Sequence, residues 1–511
     1  MVRHGLSLLA LLLALPAQAQ TDRPLSAIDW LSQSVEPPAA RASAAVPAPP
    51  RANEAPVADG AGTPPVTVTP LDSAVPRAVG TLPQEVTGLP QTLWSASASD
   101  TVLTLLQAQD EPALPALRDL LRTLLLAQAL PPAGDDGTLL LARIDRLLDL
   151  ADLSQALDLI RAGDPLQPAQ FRRWFDIALL TGDEDEPCAA MQSAPGLAPT
   201  LPARVFCMAR GGDWMAAALT LNTHRALGDV SPQDDALLSR FLDADLVDPD
   251  APLPPPDRLS PLIFRMREAI GEGLSTRPLP LAFARADLRD TVGEKARLDA
   301  AERLSLHGAL SATDLARVMT GVTPAASGGV WDRIAAFRDF NAAVNDGDAG
   351  AIGDTLPQAY AAMQTIRAEV NLAALYAAPL SRFALSGEAA RIATTLALLS
   401  GDDAAALGTQ DVPPLVRGVV TGDMTDVTPA TAIEEAIVAG FADTAPPQVY
   451  ADMLTDGKLG EALLRILPVF DAGVAGDARS VTDALLVLRR AGLSDTARRA
   501  ALEMLLLDRT P

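Results

Sequence analysis

The residues best suited to covalent chemistry in this chain are its two cysteines. Cys188 and Cys207 stand 19 residues apart in helical text, and an even pair so placed in an exported chain reads as a disulfide. Closing a loop of that size stabilises by roughly 3 kcal/mol on the chain-entropy account. The spacing is not the Cys-x-x-Cys of a redox couple, so the expected role is a structural link. Histidine offers less. His224 and His307 each lack a second histidine at i+3 or i+4, which leaves no zinc-binding pair. No Gly-x-Ser-x-Gly elbow is present for a serine nucleophile, and the glycines stand singly rather than in a phosphate-cradling loop.

Carboxylates are abundant, with 64 Asp and Glu residues, so that pairs arise by number alone. Glycosidic chemistry on peptidoglycan would also need aromatic faces for sugar rings, and only Tyr360, Tyr376 and Tyr450 supply tyrosine. The run from Asp243 to Asp250 suggests a calcium loop by charge but has Asp248 where such a loop requires glycine. Asp183-Glu184-Asp185-Glu186 follows a turn glycine, where carboxylates favour the positive end of a helix. The sequence therefore predicts no catalytic residue, no metal site and no cofactor.

Residues 1–19 read as an export signal: Arg3, an apolar core from Leu6 to Leu15, then Ala17-Gln18-Ala19 as a cleavage site. The expected location is periplasmic, with release from the cell second. Loss of Arg3 takes the formal charge from −24 to about −25, which disfavours nucleic acid and anionic lipid as partners. The Ala- and Leu-rich stretch from Asn371 to Leu399 is interrupted by Pro379, Arg382, Glu388 and Arg391, so no integral membrane span is expected. Residues 20–95 are dense in Pro, Ala and Thr and read as a disordered arm. Within it, residues 26–35 have the text of a short helix, with Ile28, Leu31 and Val35 at helical spacing and Trp30 beside them. Such a helix cannot bury its face alone, and two destinations are open: the chain's own body, or a partner. A second apolar segment, Leu82 to Trp94, leads into the globular part.

From Asp100 onward the pattern is helical, as in Leu117, Leu120, Leu121, Leu124 and Leu125. Residues 248–257, rich in Pro and Asp, divide an N-terminal half (96–247) from a C-terminal half (258–511). Glycine turns punctuate both: Gly182, Gly212, Gly347, Gly401, Gly422, Gly457 and Gly492. The step from Gly182 to Gly212 is 30 residues, and those ending at Gly457 and Gly492 are 35 each. Glycine ends one helix in the left-handed conformation, and the aspartate that usually follows can cap the next. Ala151-Asp152 belongs to the same set of turns. Five residues beyond the turn comes a small residue, as in Ala156, Ala217, Ala462 and Ala497, which would let paired helices approach closely. This text resembles a degenerate tetratricopeptide-type helical repeat across the whole body. The resemblance implies an all-α fold of hairpins stacked as an α-solenoid, with a concave face for peptides or protein segments, and it carries over no binding residues.

Candidate partner-binding residues are Ile28, Trp30 and Leu31 in the arm and Arg173, Trp174 and Trp214 in the body. The expected function is an exported, non-enzymatic scaffold or adaptor for an envelope protein or peptide. The alternative is a cell-wall enzyme, or an accessory subunit of one, associated with peptidoglycan.

Overall fold

The helix Pro115–Leu126 explains much of the arrangement, and its text is the leucine stripe noted above: Leu117, Leu120, Leu121, Leu124 and Leu125 are all buried. The computed structural model describes residues 77–246, 248, 251–408 and 412–507. The export signal and the segment 26–35, with Ile28, Trp30 and Leu31, lie outside the described residues. Within them the fold is all-α and no strand forms.

The first series is α1 (Gln84–Thr87), α2 (Ser99–Gln107), α3 (Pro115–Leu126), α4 (Thr138–Asp149), α5 (Leu153–Ala162), α6 (Pro168–Thr181), α7 (Asp185–Ser193), α8 (Leu201–Arg210), α9 (Trp214–Leu227), α10 (Pro232–Leu242) and α11 (Pro261–Ala269). A 3₁₀ segment, Leu281–Leu288, leads to the middle series: α12 (Glu294–Leu306), α13 (Ala312–Gly321), α14 (Val330–Asp346), α15 (Ala349–Thr365), α16 (Glu369–Leu380) and α17 (Gly387–Ser400). The last series is α18 (Asp403–Leu407), α19 (Pro414–Thr421), α20 (Ala432–Gly440), α21 (Gln448–Thr455), α22 (Leu459–Val474), α23 (Ala478–Arg490) and α24 (Ser494–Leu506).

All seven predicted turn glycines have positive φ, between 70° and 92°, a region open to glycine without steric cost. Each 35-residue step holds two helices, α20 with α21 and then α22 with α23. Ala156, Ala217, Ala462 and Ala497 are completely buried. The aspartates behave less uniformly. Asp213 accepts from the Ala216 amide and Asp348 from the Gly350 and Ala351 amides, as caps do. Asp423 instead accepts from the Thr425 amide and hydroxyl, and the next helix begins only at Ala432. Asp152 caps nothing with its side chain; it pairs with Arg122 at 2.6 Å.

The helices are not strung as one open superhelix with two free ends. Helix α2 packs on α4, and from α3 successive helices pack in order through α11, which returns to α6, but α22 lies on α2 and α3, and α24 lies on α3, α17 and α19. The apolar cores cross the stretch 248–257. The first series shares one apolar core with the last series and with Ala397 and Leu398 of α17, and most of the middle series forms a second core that Ala151 and Leu507 also join. The ordered body also begins earlier than residue 96. Leu89, Leu93 and Trp94 are buried, Trp94 lies against Gly460 where a Cβ would collide with its ring, and the Gly460 amide donates to the Leu93 carbonyl at 3.1 Å. Within the boundary stretch, the Leu253 amide donates to Glu272 and Arg240 donates to the Ala251 carbonyl.

Polar groups set the register of this closure. The residue before α3 is Leu114, which has no side-chain acceptor to cap it. The cap comes from the other end of the chain: Glu503 of α24 accepts from the Ala116 amide at 2.7 Å, and Asp471 of α22 accepts from the Ala113 amide at 2.9 Å. At the other end of α3 the buried guanidinium of Arg143 donates to the carbonyls of Leu125, Ala127 and Val79, and burial lowers its pKa to about 10.

Burial pushes the Glu503 carboxyl up to about 7, against the opposing pull of the Ala116 amide and Arg499. A folded pKa above the unfolded value of 4.5 means that this group favours the fold fully below about pH 4.5 and loses that contribution as pH rises through about 7. Glu503→Gln keeps an acceptor and removes the titration. It is expected to flatten the dependence of unfolding free energy on pH between about pH 5 and 8. Glu503→Ala strands the Ala116 amide and is expected to cost about 1–3 kcal/mol. Urea unfolding at a series of pH values measures both.

Candidate functional site

Helices α8 to α11 line an open, mainly apolar groove, with α7 tied to α8 beside it. The Cys188–Cys207 disulfide ties α7 to α8 with a Cα–Cα distance of 5.0 Å, and both cysteines are buried. Phe206, the neighbour of Cys207, belongs to a run of aromatic rings. Phe175 meets Phe206 edge-on at 6.4 Å, Phe206 stacks on Phe241 at 5.6 Å, and Phe241 meets Trp214 at 6.0 Å. The run starts in the core at Phe175 and reaches solvent at Trp214, which is 49% exposed. Phe206, Trp214, Phe241 and Ala269 line an open groove of about 470 Å³ together with Arg210 and Arg265.

Helix α9 carries this surface outward. Its first eight residues, Trp-Met-Ala-Ala-Ala-Leu-Thr-Leu, are apolar on nearly every side, so one neighbour cannot cover them all. Ala217 and Leu221 take the buried positions. Met215 and Leu219, one turn apart and hence on one face, are left 83% and 68% exposed. Their type and exposure distinguish this patch from the scattered single leucines of an ordinary surface.

Charge beneath the groove is cancelled. Glu184, fully buried, lies 2.7 Å from the Arg265 Nε and 3.3 Å from an Arg210 terminal nitrogen. Arg210 also bonds Asp185 at 2.8 Å, and Arg265 bonds Glu268 at 2.7 Å. Burial works against the Arg265 charge, but hydrogen bonds to Glu184 and Glu268 hold its pKa above the usual arginine value. Burial likewise opposes the Glu268 carboxylate, yet bonds from Arg289 and Arg265 hold it below the usual range. Both shifts favour the charged forms of Arg265 and Glu268, so this pair gives the groove a fixed frame. The acidic run expected to serve a helix dipole thus also supplies, at Glu184, the ion-pair hub of the site.

The predicted body residues separate. Trp214 is in the groove. Trp174 is 7% exposed and packs edge-on against Phe171 at 5.5 Å, so as a partner-binding residue it is withdrawn: its helix turns the indole into the core. Arg173 forms a two-pronged pair with Asp145 across α4 and α6, at 2.5 and 2.6 Å, and donates to the Ala169 carbonyl; its donors are committed to the scaffold. Phe206, Phe241, Met215 and Leu219 were missed. The signal for the last two was the unbroken apolar start of α9; for the phenylalanines there was none, because only packing shows which rings reach the surface.

Other polar clusters form struts. Arg122 joins Asp152 to the Gly308 carbonyl, and His307 lies 2.6 Å from Glu111. Among the described residues no group of three or more His, Cys, Asp or Glu is placed to hold a metal ion, and no helix is long and apolar enough to cross a membrane. The chain matches no protein family, no curated protein and no solved structure.

Removing the disulfide frees α7 from α8 directly under the aromatic run. Cys188→Ser with Cys207→Ser, or reduction of the natural pair, is expected to lower unfolding free energy by about 2–4 kcal/mol. Denaturant titration with and without reductant reads the change, and an unaltered midpoint would show that the link stabilises nothing.

Proposed function

We propose that this chain is an exported, non-enzymatic helical scaffold that takes an apolar segment of an envelope protein or peptide against α8, α9 and α10. The observation that carries the reading is the aromatic run that ends at Trp214 beside the exposed Met215 and Leu219. Aromatic anchors seated over a rigid, desolvated base are what protein interfaces use for most of their binding energy. The disulfide and the Glu184 ion pairs supply the rigidity. Export to the periplasm is supported by the signal-like text of residues 1–19 and by a cysteine pair that oxidising conditions preserve. A tetratricopeptide-like origin is supported by two helices per glycine step and by the left-handed glycines that end them.

A photoreactive residue introduced at Met215 tests this in the envelope of the native cell. One discrete protein adduct is expected, and Trp214→Ala should weaken binding of that protein by about 2 kcal/mol, roughly thirtyfold in Kd. Turnover of purified peptidoglycan, abolished by replacement of one carboxylate, would instead establish the cell-wall enzyme reading.

A further inference from the structure

Thioether chemistry singles out one residue beside the groove. Nine methionines fall among the described residues. Met191, Met266, Met319 and Met363 are buried, and Met208, Met424, Met453 and Met504 are half-buried. Met215 alone is exposed, at 83%. Met208, its nearest neighbour of this type in the chain, has its Sδ engaged by the Thr220 hydroxyl at 3.6 Å. An oxidant must reach a sulfur lone pair to react, so exposure sets the order in which these thioethers are attacked.

No thiol competes for that oxidant. The chain has two cysteines, and they are joined to each other as the Cys188–Cys207 disulfide. Leu219, which shares the exposed face of α9 with Met215, is inert to peroxide. We infer that Met215 is an oxidation site, and that a hydroperoxide acting on its sulfur turns the groove away from apolar segments. With hydrogen peroxide, the thioether sulfur attacks one oxygen and an S–O bond forms as the O–O bond breaks. The departing hydroxide takes the proton of the attacked oxygen and leaves as water. Sulfur loses an electron pair, and the peroxide gains it.

The product matters because of where Met215 stands. It follows Trp214, the ring that ends the aromatic run, and lies one turn from Leu219. A thioether is apolar and adapts its shape to an apolar neighbour. A sulfoxide carries a strong acceptor oxygen, and a segment laid over it must strip water from that oxygen. The arriving apolar segment brings no donor in exchange. Arg210 and Arg265 are already held by Glu184, Asp185 and Glu268, so the guanidiniums of the groove are engaged elsewhere. This inference rests on the reading of the groove as a segment-binding surface.

The test uses the full chain, hydrogen peroxide as oxidant and Nile red, a neutral apolar dye, as the probe of the groove. Peptide masses taken through a time course should show sulfoxide at Met215 forming about tenfold faster than at any other described methionine. The chain oxidised at Met215 should bind the dye about tenfold more weakly than the untreated chain. Met215→Leu should keep the untreated affinity and lose the response to peroxide, whereas Met215→Gln should bind weakly without treatment. Comparable oxidation rates at Met215 and at the half-buried methionines overturn the inference. So does an unchanged dye affinity once Met215 is oxidised, or an equal response to peroxide in Met215→Leu. Trp214→Ala separates the two readings. If it leaves dye binding intact, the groove reading falls and this inference with it; if it removes dye binding and only the oxidation effect fails, the groove reading stands alone.

Discussion

The N-terminus of α3 cannot satisfy itself. A helix start leaves its first amides without partners, and Leu114 has no side chain to offer them. Glu503 and Asp471 accept from the Ala116 and Ala113 amides, so helices more than 350 residues away in sequence complete a helix near the start of the body. Trp94 on Gly460 and the bond from Gln109 to the Leu464 carbonyl reinforce the same seam. Leaving a buried amide unpaired costs more than the net gain of an ordinary hydrogen bond. The closure therefore fixes one register between the two ends of the chain, and the shared core follows from it.

The seam also decides which part of the molecule is left to meet other segments. With α22 and α24 seated on α2 and α3, and the 3₁₀ segment seated on α4 and α6, the first series is covered up to α6. Helices α7 to α10 extend beyond that cover and hold together by other means: a disulfide, a buried carboxylate between two arginines, and stacked rings. These devices substitute for the broad leucine contacts of the shared core. Their consequence is a local element whose helix α9 packs on α8 and α10 and keeps Met215 and Leu219 exposed.

Several features were legible in the text. The glycine turns, the helical leucine stripe of α3, the disulfide and the alanines behind each turn follow from local rules of backbone conformation and periodicity. Trp214 was legible as a candidate because it follows a capping aspartate. Trp174 looked equivalent, and it differs only through the rotation of its helix toward Phe171. The sharing of one core across residues 248–257 has a similar origin. Proline marks where a helix stops but carries no information about which distant helices will share a core.

What the sequence by itself determined is therefore local: helix content, turn positions and the cysteine link, each set by residues within a few tens of one another. The tertiary structure alone decided the closure of α22 and α24 on α3, the role of Glu184 as a hub, and the emergence of Phe206 and Phe241 beside Trp214. Those depend on which buried amides, charges and rings remain unsatisfied after every helix has formed. Such demands are met by whichever partner packing brings near, however far away it lies in the chain.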